Sequence, residues 1–295
     1  MSTPARTRTG GFAIGLRLTG EFAKVPVADT AKWAAAQGFG CVDIWANHVG
    51  DIAAWKQGGL AVGTIDLFGP EWSGMLSADA GKRRATVALA QQNIRAAAAA
   101  GAKLFFIVML AEDEKLPRRD TFRYMVETYG QLRDVLKVTN TKLSVEGWPG
   151  CNAQCCNPES YRAFLKEMNS PQYGINFDPS HLIRMGIDPV RFVKEFAPHV
   201  VHVHGKDTTF DEERVYNIGL EQAGVFAEGL PYGGYAWRYT IPGAGRAPWT
   251  QLLTTLKSAG FNGYVSIELE DMNYNGTLEG ERRGFLASRD FLQTV

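Results

Sequence analysis

The chain has 295 residues, 45% hydrophobic and 21% charged, a composition that fits a soluble globular fold able to bury its own core without staples. Lys plus Arg and Asp plus Glu both number 31, for a formal net charge of zero, which argues against an electrostatic grip on nucleic acid or on an anionic membrane. The first ten residues, MSTPARTRTG, are polar and basic with no apolar run behind them. No segment reaches the ~20 apolar residues of a membrane span. A flexible tail over 1–10, one barrel over 11–295 and a cytoplasmic location are therefore expected.

Strand-like and helix-like segments then alternate. The first strand is AIGLRL (13–18), followed by the helical VADTAKWAAAQG. CVDIWA (41–46) precedes a short helix around DIAAWKQ, and LAVGTIDLF (60–68) precedes a long Ala-rich helix over 78–100. KLFFIVML (103–110) leads into a helix over 119–138, TKLSVEG (141–147) into PESYRAFLKEM, and YGINFD (173–178) into DPVRFVKEF. VVHVHGKD (200–207) is followed by an irregular stretch over 208–248, rich in Gly and aromatics, and by the helix WTQLLTTLKSAG. GYVSIELE (263–270) and a C-terminal helix close the chain. Eight strand–helix units predict a single (β/α)₈ TIM barrel with a long insertion after the seventh strand. Three helices end at a Gly just before a strand, the left-handed cap signal. Cys41, Cys151, Cys155 and Cys156 form no CxxC pair, so reduced loop thiols and a metal or redox role both stay open.

Chemistry in such barrels sits at the carboxyl ends of the strands. The fifth to eighth strands end in Glu146, Asp178, His204 and Glu268. Two residues back, on the same face, stand Ser144, Asn176, His202 and Ser266, while Val145, Phe177, Val203 and Ile267 lie between. Four ligand-type residues in register above a polar layer predict a divalent metal site, because three converging carboxylates without a cation would repel one another. Three hard oxygen donors and one imidazole suit Mn²⁺, Mg²⁺ or Co²⁺ better than Zn²⁺. Asp178 ends its strand, Pro179 fixes the turn, and His181 is expected at the rim, donating to a substrate oxygen.

At these residues the sequence resembles the xylose-isomerase-like barrel superfamily, especially its sugar phosphate isomerase/epimerase branch. The matching pieces are SVEGWPG, NFDPSHL, VHVHGKD, WRYTIPGAGRAPW and GYVSIELED. The resemblance implies one metal, Mn²⁺ foremost, on Glu146, Asp178, His204 and Glu268, with the two glutamates as acid and base. It implies proton abstraction beside the carbonyl of a keto sugar or related polyol, through an enediolate that the ion stabilises, ending in isomerisation or epimerisation. Elimination or hydration on a 3-keto sugar, keto-glycoside or inosose is the alternative. Where ketose 3-epimerases carry a further Glu and an Arg, this chain has Asn152 and Phe210, so those contacts do not carry over.

The expected substrate contacts are His181, Lys206, Trp148, Asn152, Arg246 and His48. Lys206 either steadies an oxyanion or forms a solvated salt bridge, and Trp148 either stacks on a sugar or packs. His202 is expected beneath the ion. The stretch 208–248 is either a cover over the mouth or a subunit contact in a dimer or tetramer. Two rival readings are a three-zinc endonuclease, short of ligands here with five His in all, and a non-catalytic sugar-binding barrel, which needs no second glutamate.

Overall fold

The computed structural model describes residues 3–150 and 152–295. Its strands are β1 (Ile14–Arg17), β2 (Cys41–Ile44), β3 (Ala61–Asp66), β4 (Leu104–Val108), β5 (Lys142–Glu146), β6 (Tyr173–Phe177), β7 (Val200–Gly205), β8 (Asp207–Phe210), β9 (Trp237–Thr240) and β10 (Val265–Ile267). Eight close a parallel barrel in the order β1, β10, β7, β6, β5, β4, β3, β2, with helices in the crossovers. This is the expected (β/α)₈ architecture.

Alternation divides each barrel strand between the helix layer and the axis. Val145, Phe177, Val203 and Ile267 are buried in the core, and Ser144, Asn176, His202 and Ser266 are equally buried. Register aligns the polar set: Glu146 stands opposite Asn176, Asn176 opposite His202, and His204 opposite Ser266. Two glycines leave room for it. A Cβ on Gly15 would meet Cys41 Sγ at 2.2 Å, and one on Gly63 would meet Asp43 Oδ1 at 2.3 Å.

Gly38, Gly101 and Gly260, the expected helix ends, have φ of +83°, +102° and +83°, the left-handed cap conformation. The helix expected over 119–138 divides into Arg118–Gly130 and Arg133–Val138. The break follows Gly130, the weakest helix former in the run.

The N-terminal segment differs from the flexible tail expected over 1–10. Ala5 donates to Gly38 O (2.7 Å), Thr9 donates to Val295 O (2.8 Å), and Arg6 bridges Ala13. Gly10 and Gly11, both at positive φ, turn the chain back on itself, and paired glycines are a hairpin signal. Among the described residues no helix is long and apolar enough to cross a membrane.

The stretch after β7 is ordered rather than irregular. β8 and β9 pair antiparallel, from Asp207 opposite Thr240 to Phe210 opposite Trp237. Asp207 fastens the return of the chain: its carboxylate accepts from the Ala247 amide (2.9 Å) and from Trp249 Nε1 (3.2 Å). Between the two strands run the helix Glu212–Ile218, whose Tyr216 is largely exposed, and an excursion whose Val225 and Phe226 are too. Cys41, Cys155 and Cys156 are buried and free, which fits reduced thiols; Cys151 lies outside the described residues.

Candidate metal centre and active site

Glu146 is the last residue of β5, Asp178 follows β6, His204 lies near the end of β7, and Glu268 follows β10. Their donor atoms all lie within 4.8 Å of one another. Asp178 also caps the helix Pro179–Arg184: Oδ1 accepts the Ser180 amide at 2.8 Å, which leaves Oδ2 for the centre. His204 Nδ1 is 2.6 Å from Glu146 Oε2 and 3.2 Å from Glu268 Oε2. Asn176 Nδ2 donates to Glu146 Oε2 at 2.5 Å. His204 Nδ1 and Asp178 Oδ2 are nevertheless buried without an aligned hydrogen bond. Side chains that converge on a shared centre rather than on each other look like this. The three carboxylates and one imidazole fit a divalent cation.

A second positive charge already reaches this cage. Lys206 Nζ is buried, 2.5 Å from Glu268 Oε2, 3.0 Å from Glu270 Oε2 and 3.3 Å from Asp178 Oδ2. Burial disfavours its ammonium, but Asp178, Glu268 and Glu270 outweigh burial and hold it well above the ordinary lysine range. Burial likewise pushes Glu268 up, yet Lys206, His204 and Arg17 keep it well below the usual carboxylate range. For Glu146, burial and Glu268 act upward, and His204 and His181 win, holding it ionised. Lys206 is therefore no solvated salt bridge. Lys206→Met should destabilise the metal-free protein by about 3–5 kcal/mol, the cost of leaving buried charges unpaired. Added Mn²⁺ should then raise the melting temperature more in the variant than in the parent. An equal rise in both would show that the ammonium does not neutralise this cage.

The other expected contacts divide. His181 does not stand at an open rim: it is 1% exposed, with Nδ1 2.8 Å from Tyr239 Oη and Nε2 3.3 Å from Glu146 Oε1 and 3.4 Å from Asp178 Oδ2. β9 brings Tyr239 over the short helix and closes that space. Trp148 lines a cavity of about 250 Å³ with Asp66, Phe68, Phe106 and Leu110. His48 pairs with Asp51 at 2.8 Å on the turn after β2. Asn152 Nδ2 donates to Asp113 O (3.2 Å) and Leu116 O (3.0 Å), bracing the loop after β4. Arg246 lies over the Phe210 ring and pairs with Glu212 on the insertion, where its charge finds a carboxylate outside the centre.

Several groups at the mouth were not anticipated. Arg17, on β1, reaches Asp66 at 3.0 Å and Glu268 at 3.2 Å, with its guanidinium 4.5 Å from the centre of the Phe106 ring. Asp43, buried on β2, lies 2.9 Å from His202 Nε2. His202 thus sits beneath the centre as expected, with a partner that was not. Arg184 donates to Tyr239 Oη (2.8 Å) and to Pro149 O (2.7 Å), joining the insertion to the loop after β5. A second cavity, of about 320 Å³, is lined by Arg17, Glu21, Tyr232, Glu268, Glu270 and Glu281 among others. Tyr232 belongs to the insertion, which therefore forms part of the wall beside Glu268. A charged residue at an inward position of an apolar strand was the available signal for Arg17 and Asp43.

A closed barrel with a buried candidate metal centre at the carboxyl ends of its strands defines the class. The chain belongs to the xylose isomerase-like TIM barrel family, whose model matches residues 31–295. It is 29% identical over 180 residues to the uncharacterized protein YfiH of Bacillus subtilis (strain 168), a match covering 54% of this chain and 56% of YfiH. It is 27% identical over 107 residues to an inosose dehydratase of Bacillus anthracis, covering 36% of this chain and 34% of the relative. The chain thus spans about half of the first relative's length and a third of the second's. Among solved structures it is similar in fold to the 3-keto-D-glucoside 4-epimerase YcjR from E. coli, with TM-score 0.69 and 16% identity over 96% of this chain and 99% of that one.

Proposed function

We propose that the chain is a divalent-metal-dependent isomerase or epimerase of a keto sugar or related polyol, with Glu146, Asp178, His204 and Glu268 as ligands and Mn²⁺ as the ion. The observation that carries this reading is the convergence of Glu146, Asp178, His204 and Glu268, with the two glutamates 2.6 Å and 3.2 Å from His204 Nδ1. A divalent ion bound there supplies Lewis-acid polarisation of a carbonyl. One glutamate removes a proton from the neighbouring carbon, and the other stands ready to return one. Lys206 keeps its charge against the enediolate that the substrate becomes. Arg17 holds Glu268 from the far side, and Trp148, Phe106 and the Tyr239 hairpin keep water out.

The same first step followed by loss of a β-oxygen is the second reading, a lyase or dehydratase on a 3-keto sugar, keto-glycoside or inosose. The cavity walled by Phe68, Phe106, Leu110 and Trp148 favours it, because it offers space for a leaving half beside the polar one. Among the similar proteins the 3-keto-glucoside epimerase fits the first reading and the inosose dehydratase the second. The substrate is a small molecule; a homo-oligomer built through the exposed excursion and a cytoplasmic site of action belong to the same proposal.

The test is elemental analysis of the purified protein, followed by proton exchange in D₂O with keto sugars, inososes and their phosphates in the presence of Mn²⁺. Stoichiometric metal and exchange at the carbon beside the carbonyl are expected, and both should vanish on chelation. Exchange that persists without metal would overturn the reading.

A further inference from the structure

Two cavities open at the carboxyl end of the barrel, one on each side of Arg17. Its guanidinium lines the larger, of about 320 Å³, together with Glu21, Glu268, Glu270 and Glu281. It also donates to both oxygens of Asp66, at 3.0 and 3.1 Å, and Asp66 lines the smaller cavity, of about 250 Å³. Arg17 lies over the Phe106 ring at 4.5 Å, and Phe106 walls the smaller cavity and packs on His204 at 5.3 Å. The Arg17–Asp66 pair is thus a partition beside the candidate centre, with Glu268 on one side and Phe106 on the other.

The two sides differ in chemistry. Carboxylates on the larger side accept hydrogen bonds from the hydroxyls of a sugar ring. The smaller side is apolar apart from Asp66, with Leu67, Phe68, Phe106, Leu110 and Trp148 among its walls. Trp148 is 36% exposed yet fixed in place. A Cβ on Gly150 would meet its ring at 1.9 Å, and the Arg184 guanidinium, which donates to Pro149 O at 2.7 Å, stands 6.0 Å from the ring centre. An exposed indole held over an apolar cavity is a stacking surface. An apolar cavity of about 150 Å³ takes benzene, so this one has room for a substituted aromatic ring. A phosphate finds no partner on either side. In the described lining Arg17 is the only cation against five carboxylates, and Asp66 and Glu268 already pair with it. Lys206, at the centre, is shared among Asp178, Glu268 and Glu270.

We propose that the substrate is an unphosphorylated glycoside in two parts: a keto sugar ring in the larger cavity beside Glu268, and an aromatic aglycone in the smaller cavity against Trp148. The glycosidic link passes over the Arg17–Asp66 pair. The inference rests on the reading of the site as one for a keto sugar or its glycoside, and it holds for either ending of the reaction, because the aromatic half is recognised away from the candidate ligands.

The test is calorimetric binding of phenyl 3-keto-β-D-glucoside, methyl 3-keto-β-D-glucoside and 3-ketoglucose 6-phosphate to the parent, Trp148→Ala and Leu110→Asp, with and without Mn²⁺. Burial of the phenyl ring should make the phenyl glucoside bind about 10–100-fold more tightly than the methyl one, and the phosphate should bind no more tightly than the methyl glucoside. The preference should persist without Mn²⁺, because no wall of the smaller cavity is a candidate ligand. Each variant should weaken phenyl glucoside binding by about 10-fold or more and methyl glucoside binding far less; Trp148 is exposed and Leu110 half-buried, so neither change opens the core. Equal affinities for the two glucosides, tightest binding of the phosphate, a phenyl preference that survives both variants, or no binding of any of the three overturns the proposal. A phenyl preference in a chain that binds no metal and supports no proton exchange removes the proposed reaction and leaves the aromatic site standing. Exchange on the methyl glucoside with no phenyl preference does the reverse.

Discussion

Glu146→Gln and Glu268→Gln should each lower turnover and solvent exchange by at least ~10²–10⁴-fold, the usual worth of a general acid or base. Lost metal affinity adds to that, because each glutamate also faces the candidate ion. Substrate binding, read by calorimetry at saturating Mn²⁺, should weaken far less than turnover falls. The two variants should also differ in stability. Glu268 pairs with both Lys206 and Arg17, so its loss removes one carboxylate from each of two cations that keep Asp178, Glu270 and Asp66, whereas Glu146 leans on neutral Asn176 and on His181 and His204. Near-normal exchange in either variant with metal still bound would remove that residue from the catalytic pair.

Excising 211–234 and joining the ends with a Gly-Ser linker should leave a folded, metal-binding barrel whose turnover is reduced by about 10²-fold. The cut spares Asp207–Phe210 and Trp237–Thr240, so β8, β9 and Tyr239 stay in place. It removes Tyr232, which walls the cavity beside Glu268, and so opens that side of the site to water. It also removes the exposed apolar side chains Tyr216, Val225 and Phe226, which a subunit contact would cover. Light scattering on the same protein therefore separates the two roles. Lost activity at unchanged mass supports the cover, and full activity with a fall to monomer leaves only the subunit contact.

The barrel was legible because strand and helix periods alternate apart from the insertion over 208–248 and because Gly38, Gly101 and Gly260 mark helix ends. The four ligand-type residues were legible because each closes a strand with a polar residue two positions behind it. Arg17 and Asp43 were not, although they share that inward face. Their partners, Asp66, Glu268 and His202, lie on other strands, and only closure of the barrel brings them together. Arg246 and Asn152 carry contacts that the sequence did not signal. Arg246 pairs with Glu212 on the insertion, and the Asn152 amide donates to loop carbonyls. His181 was placed correctly along the chain and wrongly in depth, because a strand 58 positions further on covers it.

The barrel seam lies between its first and last strands, with Ile14 beside Val265 and Leu16 beside Ile267. Glu268 stands on that seam, and Arg17 reaches across it. During synthesis, at about 5–20 residues per second, Glu146, Asp178 and His204 leave the ribosome well before Glu268 does. Pairings so distant in sequence are also the slow ones to form. A nascent chain thus carries three of the four donors without the strand that completes the set. Binding of an ion at the candidate centre would therefore depend on closure of the barrel, and a chain cut before β10 holds neither a finished wall nor a finished candidate centre.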